Sequence, residues 1–352
     1  MSRNRKKEIA RDRLRFFIYE VALGFILIII CILIPLFLIP LLVGEGSLLY
    51  GILLYSLRAI FVFIGIPLML IISNLVFESQ KRKIIIKEDI SSAKGHLKLY
   101  KMTNKNYKYQ ILYGLLIFFL VFLPIDFFGY LLIPDMLEYQ ASALPDTDIY
   151  LTSATPYILF LISVIIIQFS VAVTEETISR GLITKRGSEY FFRMSAVMIS
   201  ALYWGFGHFV YFLNPIPGFS IWYPFIWFLQ AFVIGIVLSL FLLRKKWIFP
   251  VIIAHTLNNI VSAHAVWSLN NAIDFSVVAL YLYLPLLIIG CVLFIWQFSQ
   301  IKESLSIGFK MLKSYFKRDN ASEDTKGDII FRVFFDIIMA LIIFLMGFMI
   351  MI

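Results

Sequence analysis

Apolar runs of about 20 residues recur along the chain, each long enough to cross the ~30 Å hydrocarbon core of a bilayer as a helix. Nine runs qualify: 18–43, 48–77, 110–133, 151–180, 194–213, 224–243, 247–268, 275–298 and 329–350. Hydrophobic residues make up 61% of the 352 positions and charged residues only 15%. A water-soluble fold carries about 25% charged residues. There is too little polar surface here to cover a globule, which excludes a secreted enzyme, a soluble nucleic-acid binder and a disordered scaffold. In lipid every backbone polar group must be satisfied within the chain, so spanning segments are helices or closed barrels. The expected fold is therefore all-α: a polytopic transmembrane helix bundle of about nine spans, multi-pass and in contact with the lipid bilayer. The first run is too long for a signal-peptide core and no small-residue cleavage site follows it.

The basic residues set the expected orientation. All but three of the 31 Lys and Arg residues lie outside the runs: before residue 18, between Lys81 and Lys108, at Lys185, Arg186 and Arg193, at 244–246, and from Lys302 to Lys326. The exceptions are Arg58, Arg180 and Arg332, the last close to the start of its run. The alternate loops 44–47, 134–150, 214–223 and 269–274 contain neither Lys nor Arg but do contain Glu45, Asp135, Glu138, Asp146, Asp148 and Asp274. The positive-inside rule then makes the N-terminus cytoplasmic and, with nine spans, the C-terminus external. The net charge of +9 belongs to these cytoplasmic loops, with no nucleic-acid partner expected. The polar loops 78–109 and 299–328 fit interfacial helices or linkers drawn to anionic lipid heads. Cys31 and Cys291 lie far apart in apolar runs, so no disulfide framework is expected. Three parts are expected: 1–150, a basic segment with three accessory helices; 151–268, the core bearing the polar motifs; and 269–352, two further helices joined by a basic loop.

Charged residues near a bilayer centre cost roughly 2.5–3.5 kcal/mol each on insertion scales, so they persist mostly where they pair or act. Three clusters break the apolar pattern: Glu175-Glu176-x-x-x-Arg180, Trp204-x-x-x-His208, and His255-x-x-x-Asn259. His208, His255 and His264 are three of the chain's four histidines. Glu176 and Arg180, four apart on a helix, share a face and can pair. Glu175 is turned about 100° away and is left free. His255 and Asn259 likewise share a face, while Asn258 points elsewhere. A carboxylate desolvated in a bundle suits general-base work, with His208 positioning water or relaying its proton. His255 and Asn259 can donate to the oxyanion of a tetrahedral intermediate. The same groups are also conceivable zinc ligands, with Glu175, His208 and His255 as the trio if a metal is used. Arg58, Asp126 and Asp336 each require a partner, and Arg58 with Asp126 is the expected pair.

The order and spacing of these three motifs over residues 150–265 resemble those of the CPBP family, the CAAX proteases and bacteriocin-processing enzymes also called Abi, and are similar to those of the type II CAAX prenyl endopeptidase. The resemblance implies a membrane-embedded peptidase in which Glu175 and His208 activate water and His255 and Asn259 stabilise the oxyanion. Glu176 and Arg180 support the site, and no metal is favoured. The second motif usually begins with Phe, and Trp204 stands there as a bulkier packing residue. The expected function is endoproteolysis of a peptide or membrane-protein substrate near the cytoplasmic face of a bacterial cytoplasmic membrane. The alternative is a non-catalytic bacteriocin-immunity or regulatory scaffold of the same fold.

Overall fold

The structure, a computed structural model, describes residues 2–44, 47–82, 92–133, 135–143, 149–213, 215–317 and 324–351. The amphipathic helix α1 (Ser2–Phe16) passes through a π-helical stretch, Phe17–Ala22, into α2 (Leu23–Leu42). The long α3 (Leu48–Arg82) bends at Phe77, where the backbone leaves helical values (φ −113°, ψ 19°). After the short α4 (Ser92–Leu97), α5 (Tyr107–Ile117) and α6 (Leu123–Leu132) form one rod through the π turn Phe118–Phe122. Helix α7 (Asp135–Ala143) lies in the following connection.

The motif-bearing part begins with α8 (Tyr157–Glu176), which runs on as a π-helix over Thr177–Arg186 and ends in α9 (Gly187–Tyr190). It continues with α10 (Arg193–Phe209), α11 (Trp222–Lys245) and α12 (Phe249–Asn270), which carries Pro250 in its first turn. A proline costs little there because the first helical N–H groups have no intrahelical acceptor. The remainder is α13 (Phe275–Val278), α14 (Leu284–Trp296), the amphipathic α15 (Phe298–Tyr315) and α16 (Lys326–Met351). No strand occurs among the described residues.

Seven helical rods among the described residues are long and apolar enough to span a membrane: Leu48–Glu78, Tyr107–Leu132, Tyr157–Tyr190, Trp222–Lys245, Phe249–Asn270, Phe275–Trp296 and Lys326–Gly347. That revises the expected nine. Several side chains of the first expected span, 18–43, lie outside the described residues. The fifth, 194–213, forms only the 17-residue α10 before a 3₁₀ turn. At 1.5 Å per residue this is about 26 Å, short of the ~30 Å core. Gly235 lets α11 approach α10 closely: an added Cβ would lie 3.0 Å from the Cα of Ala201.

The charges expected to need partners find them differently from the expectation. Asp336 is paired with Arg13 at 2.5 Å and also accepts the Tyr315 hydroxyl at 2.9 Å, which ties α16 to α1 and α15. Asp126 accepts the Tyr283 hydroxyl at 2.8 Å instead of meeting Arg58. A tyrosine hydroxyl is the less costly partner inside lipid, because it adds no second charge to desolvate.

Candidate active site

The site forms where α8, α10 and α12 converge. Helix periodicity separates the two glutamates as the spacing requires. Glu176 is fully buried; its Oε2 is 3.1 Å from Arg180 Nε, and its Oε1 is 2.8 Å from His255 Nδ1. The guanidinium of Arg180 lies 4.5 Å from the centroid of the Trp204 ring, a cation–π contact that offsets part of its desolvation. Its Nη1 and Nη2 have no acceptor among the described residues. Glu175 keeps 20% of its side-chain exposure and faces a cavity. Its Oε2 accepts the indole N–H of Trp204 at 2.5 Å and lies 3.9 Å from His255 Nε2.

These contacts set the imidazole edges. An ionised carboxylate only accepts, so His255 donates from Nδ1 to Glu176 and turns Nε2 toward Glu175; when both nitrogens carry protons, Nε2 donates as well. His208 Nδ1 lies 3.3 Å from the Trp204 carbonyl, which also only accepts, leaving Nε2 as the ring's lone-pair edge in its neutral form. Aromatic rings fix both histidines. Phe122 stacks on His255 at 5.8 Å between centroids, and Trp227 meets His208 edge-on at 5.0 Å. The Trp204 ring touches both, 5.4 Å from His255 and 5.6 Å from His208.

All four residues expected to act, Glu175, His208, His255 and Asn259, line one cavity of about 470 Å³. The π-helix carries the rod of α8 ten residues past Glu176, to Arg186, so Glu175 lies deeper than its expected span end implies. Glu175, His208 and His255 are not gathered into a group able to hold a metal ion among the described residues. The third motif-region histidine, His264, lies apart from the cavity, with Nε2 2.7 Å from the Tyr281 hydroxyl.

Three side chains carry more than the sequence reading assigned them. Trp204 does more than pack, since a Phe in its place has no N–H for Glu175. Asn258, expected to point elsewhere, also lines the cavity, and its buried Oδ1 has no partner among the described residues. Gln168, two helical turns before Glu175 on the same face, accepts the Asn259 amide at 3.0 Å and donates to the Tyr150 hydroxyl at 2.9 Å. Its signal was available as a lone amide in the apolar stretch of α8.

Residues 157–261, just under a third of the chain, match the family described as Type II CAAX prenyl endopeptidase Rce1-like. The matched segment runs from the start of α8 through Asn259 and contains all three polar motifs. No curated protein and no solved structure matches the chain.

Proposed function

We propose that the protein is an intramembrane endopeptidase in which Glu175 activates the hydrolytic water. The observation that carries this reading is the division of labour between the adjacent carboxylates. Glu176 is consumed by Arg180 and His255, whereas Glu175 presents an oxygen to the cavity beside two imidazoles. In the proposed reaction a water held between Glu175 and His208 loses a proton to Glu175 as it attacks the peptide carbonyl. His255, from Nε2 when protonated, and the Asn259 amide hydrogen not used by Gln168 donate to the resulting oxyanion. The proton held by Glu175 then passes to the leaving amine. Arg180 and Glu176 hold the His255 ring, and Trp204 holds Glu175.

The test is Glu175→Gln, which keeps shape and removes the proton acceptor. Comparing the peptides released by cells carrying wild type or variant should show loss of specific cleavage products while the folded protein persists. Retention of those products would sink the assignment. If no products depend on wild type at all and the cellular phenotype survives the substitution, the scaffold reading takes its place. The N-in orientation, a peptide or membrane-protein substrate and a bacterial cytoplasmic membrane belong to the same proposal; it invokes neither metal nor nucleic acid.

A further inference from the structure

The two ends of the catalytic cavity differ. On the side of the basic segments it is closed. All ten residues of the π-helix Thr177–Arg186 are buried. Gly181 is pressed against the His96 ring, where an added Cβ would lie 2.7 Å from Cε1. Arg186 is held by Glu20 at 2.9 Å and by Ser92 at 2.7 Å, and the Tyr190 hydroxyl reaches the same Glu20 oxygen at 2.6 Å. The junction of α1 and α2, α4 and α9 thus plug this end together. No described residue of 78–109, 185–193, 244–248 or 299–325 lines the cavity.

On the other side the lining continues into the connections. It climbs α8 by Gln168 and α12 by Ser262 and Val266, and it ends at Gln140 on α7, at Tyr150 before α8 and at Tyr211 after α10. Gln140 and Tyr150 belong to the 134–150 segment, and Tyr211 lies just before the 214–223 segment; both segments contain neither Lys nor Arg. The cavity's volume of about 470 Å³ takes a few residues of extended chain. An extended chain brings unpaired N–H groups, and the unpartnered Oδ1 of Asn258 is an acceptor for one of them.

We infer that the cavity is entered from the side of the lysine-free loops, extracytoplasmic in the charge-derived orientation, and that it takes a short extended peptide segment presented there. This replaces the cytoplasmic-face entry expected from the sequence. The occupant rests on the peptidase reading; the route does not.

The route is read by thiol labelling of the full chain with Cys31 and Cys291 replaced by Ala. Ala263→Cys reports the cavity wall, Ser142→Cys the lysine-free side, and Lys310→Cys the basic side. A membrane-impermeant charged maleimide is applied to sealed vesicles of each orientation. Ala263→Cys should react in the same vesicles as Ser142→Cys. Reaction alongside Lys310→Cys, or in neither orientation, overturns the route. Val171→Cys, a second wall position, serves if Ala263→Cys does not fold. Unstructured decapeptides added on the Ser142 side should slow labelling of Ala263→Cys several-fold; no protection overturns the occupant. Because labelling needs no turnover, a failure of the Glu175 mechanism would leave the route result intact.

Discussion

Gln168–Glu175 and Glu176–Arg186 are consecutive stretches of one helical rod with opposite surroundings. In the first, Gln168 and Glu175 turn their polar atoms to the cavity. In the second every charged side chain is sealed in protein, with Glu176, Arg180 and Arg186 each 2% exposed or less. Charges in the sealed stretch are tolerable because each meets an opposite charge, as with Arg186 and Glu20, or a ring face, as with Arg180 over Trp204. The cavity stretch holds one carboxylate with, among the described residues, a single hydrogen bond, the one from Trp204. The contrast divides the proposed chemistry and the buried charge pairing between adjacent residues, so substitutions on either side of that boundary should fail in different ways.

The largest expected effect is on the cavity side. Glu175→Gln should lower turnover about 10²–10⁴-fold, the usual cost of losing a general base, with the melting temperature held. Turnover per folded molecule checks it, and a fully active variant would break the comparison. On the sealed side Glu176→Gln and Arg180→Gln should each cost roughly 3–5 kcal/mol of stability, since removal of one partner strands a buried charge. A Gln at 176 still accepts from His255, so activity per folded molecule should fall much less than stability. A stable but dead Glu176→Gln would reverse the two roles.

Trp204→Phe tests the bond that joins the two regions. Hydrogen bonds to charged groups are worth about 1.5–3 kcal/mol, so turnover should fall about 10–100-fold while ring packing is kept. An unchanged rate would make Trp204 a packing residue only. The plug has its own readout in His96, which lies outside the spans and whose basicity burial lowers from 6.5 to about 4. The unfolded chain takes up a proton at His96 below pH 6.5 while the folded chain resists until about pH 4, so stability is lost as pH falls through that window. The loss should reach about 2 kcal/mol at pH 5. Melting curves at pH 7.5 and 5 should show it, and His96→Gln should flatten the difference. Gln168→Leu should give the smallest effect, a 2–10-fold drop in kcat from one neutral hydrogen bond worth about 0.5–1.5 kcal/mol. Gln168→Glu, which retains the acceptor for Asn259, should restore most of the rate; equal damage by both variants would argue against positioning.

Much of the site was legible because a charged or strongly polar residue in an apolar run is costly enough to stand out. The pairing of Glu176 with Arg180 and the freedom of Glu175 follow from 3.6 residues per turn alone. Asn258 and Trp204 were not legible. Asn258 was assigned away from its neighbour by the same angular rule, yet the cavity is wide enough to take both faces of α12 there. Trp204 looked like packing because which carboxylate its N–H would meet depends on how α10 crosses α8, a distance of 29 positions along the chain.

The sequence by itself determined the helical class, the segregation of the basic residues into alternate loops and the polar residues that stand out in the apolar runs, because transfer of apolar and charged groups between water and lipid is a local cost read residue by residue. Only the tertiary structure decided the count of seven described spans, the depth of Glu175, the partners of Asp126 and Asp336, and which end of the cavity is closed. Those depend on where helices stop and what they meet. The π-helical run beyond Glu176 and the plug built on Glu20, Ser92 and Arg186 join segments up to 166 positions apart, and spacing within any one helix carries no information about them.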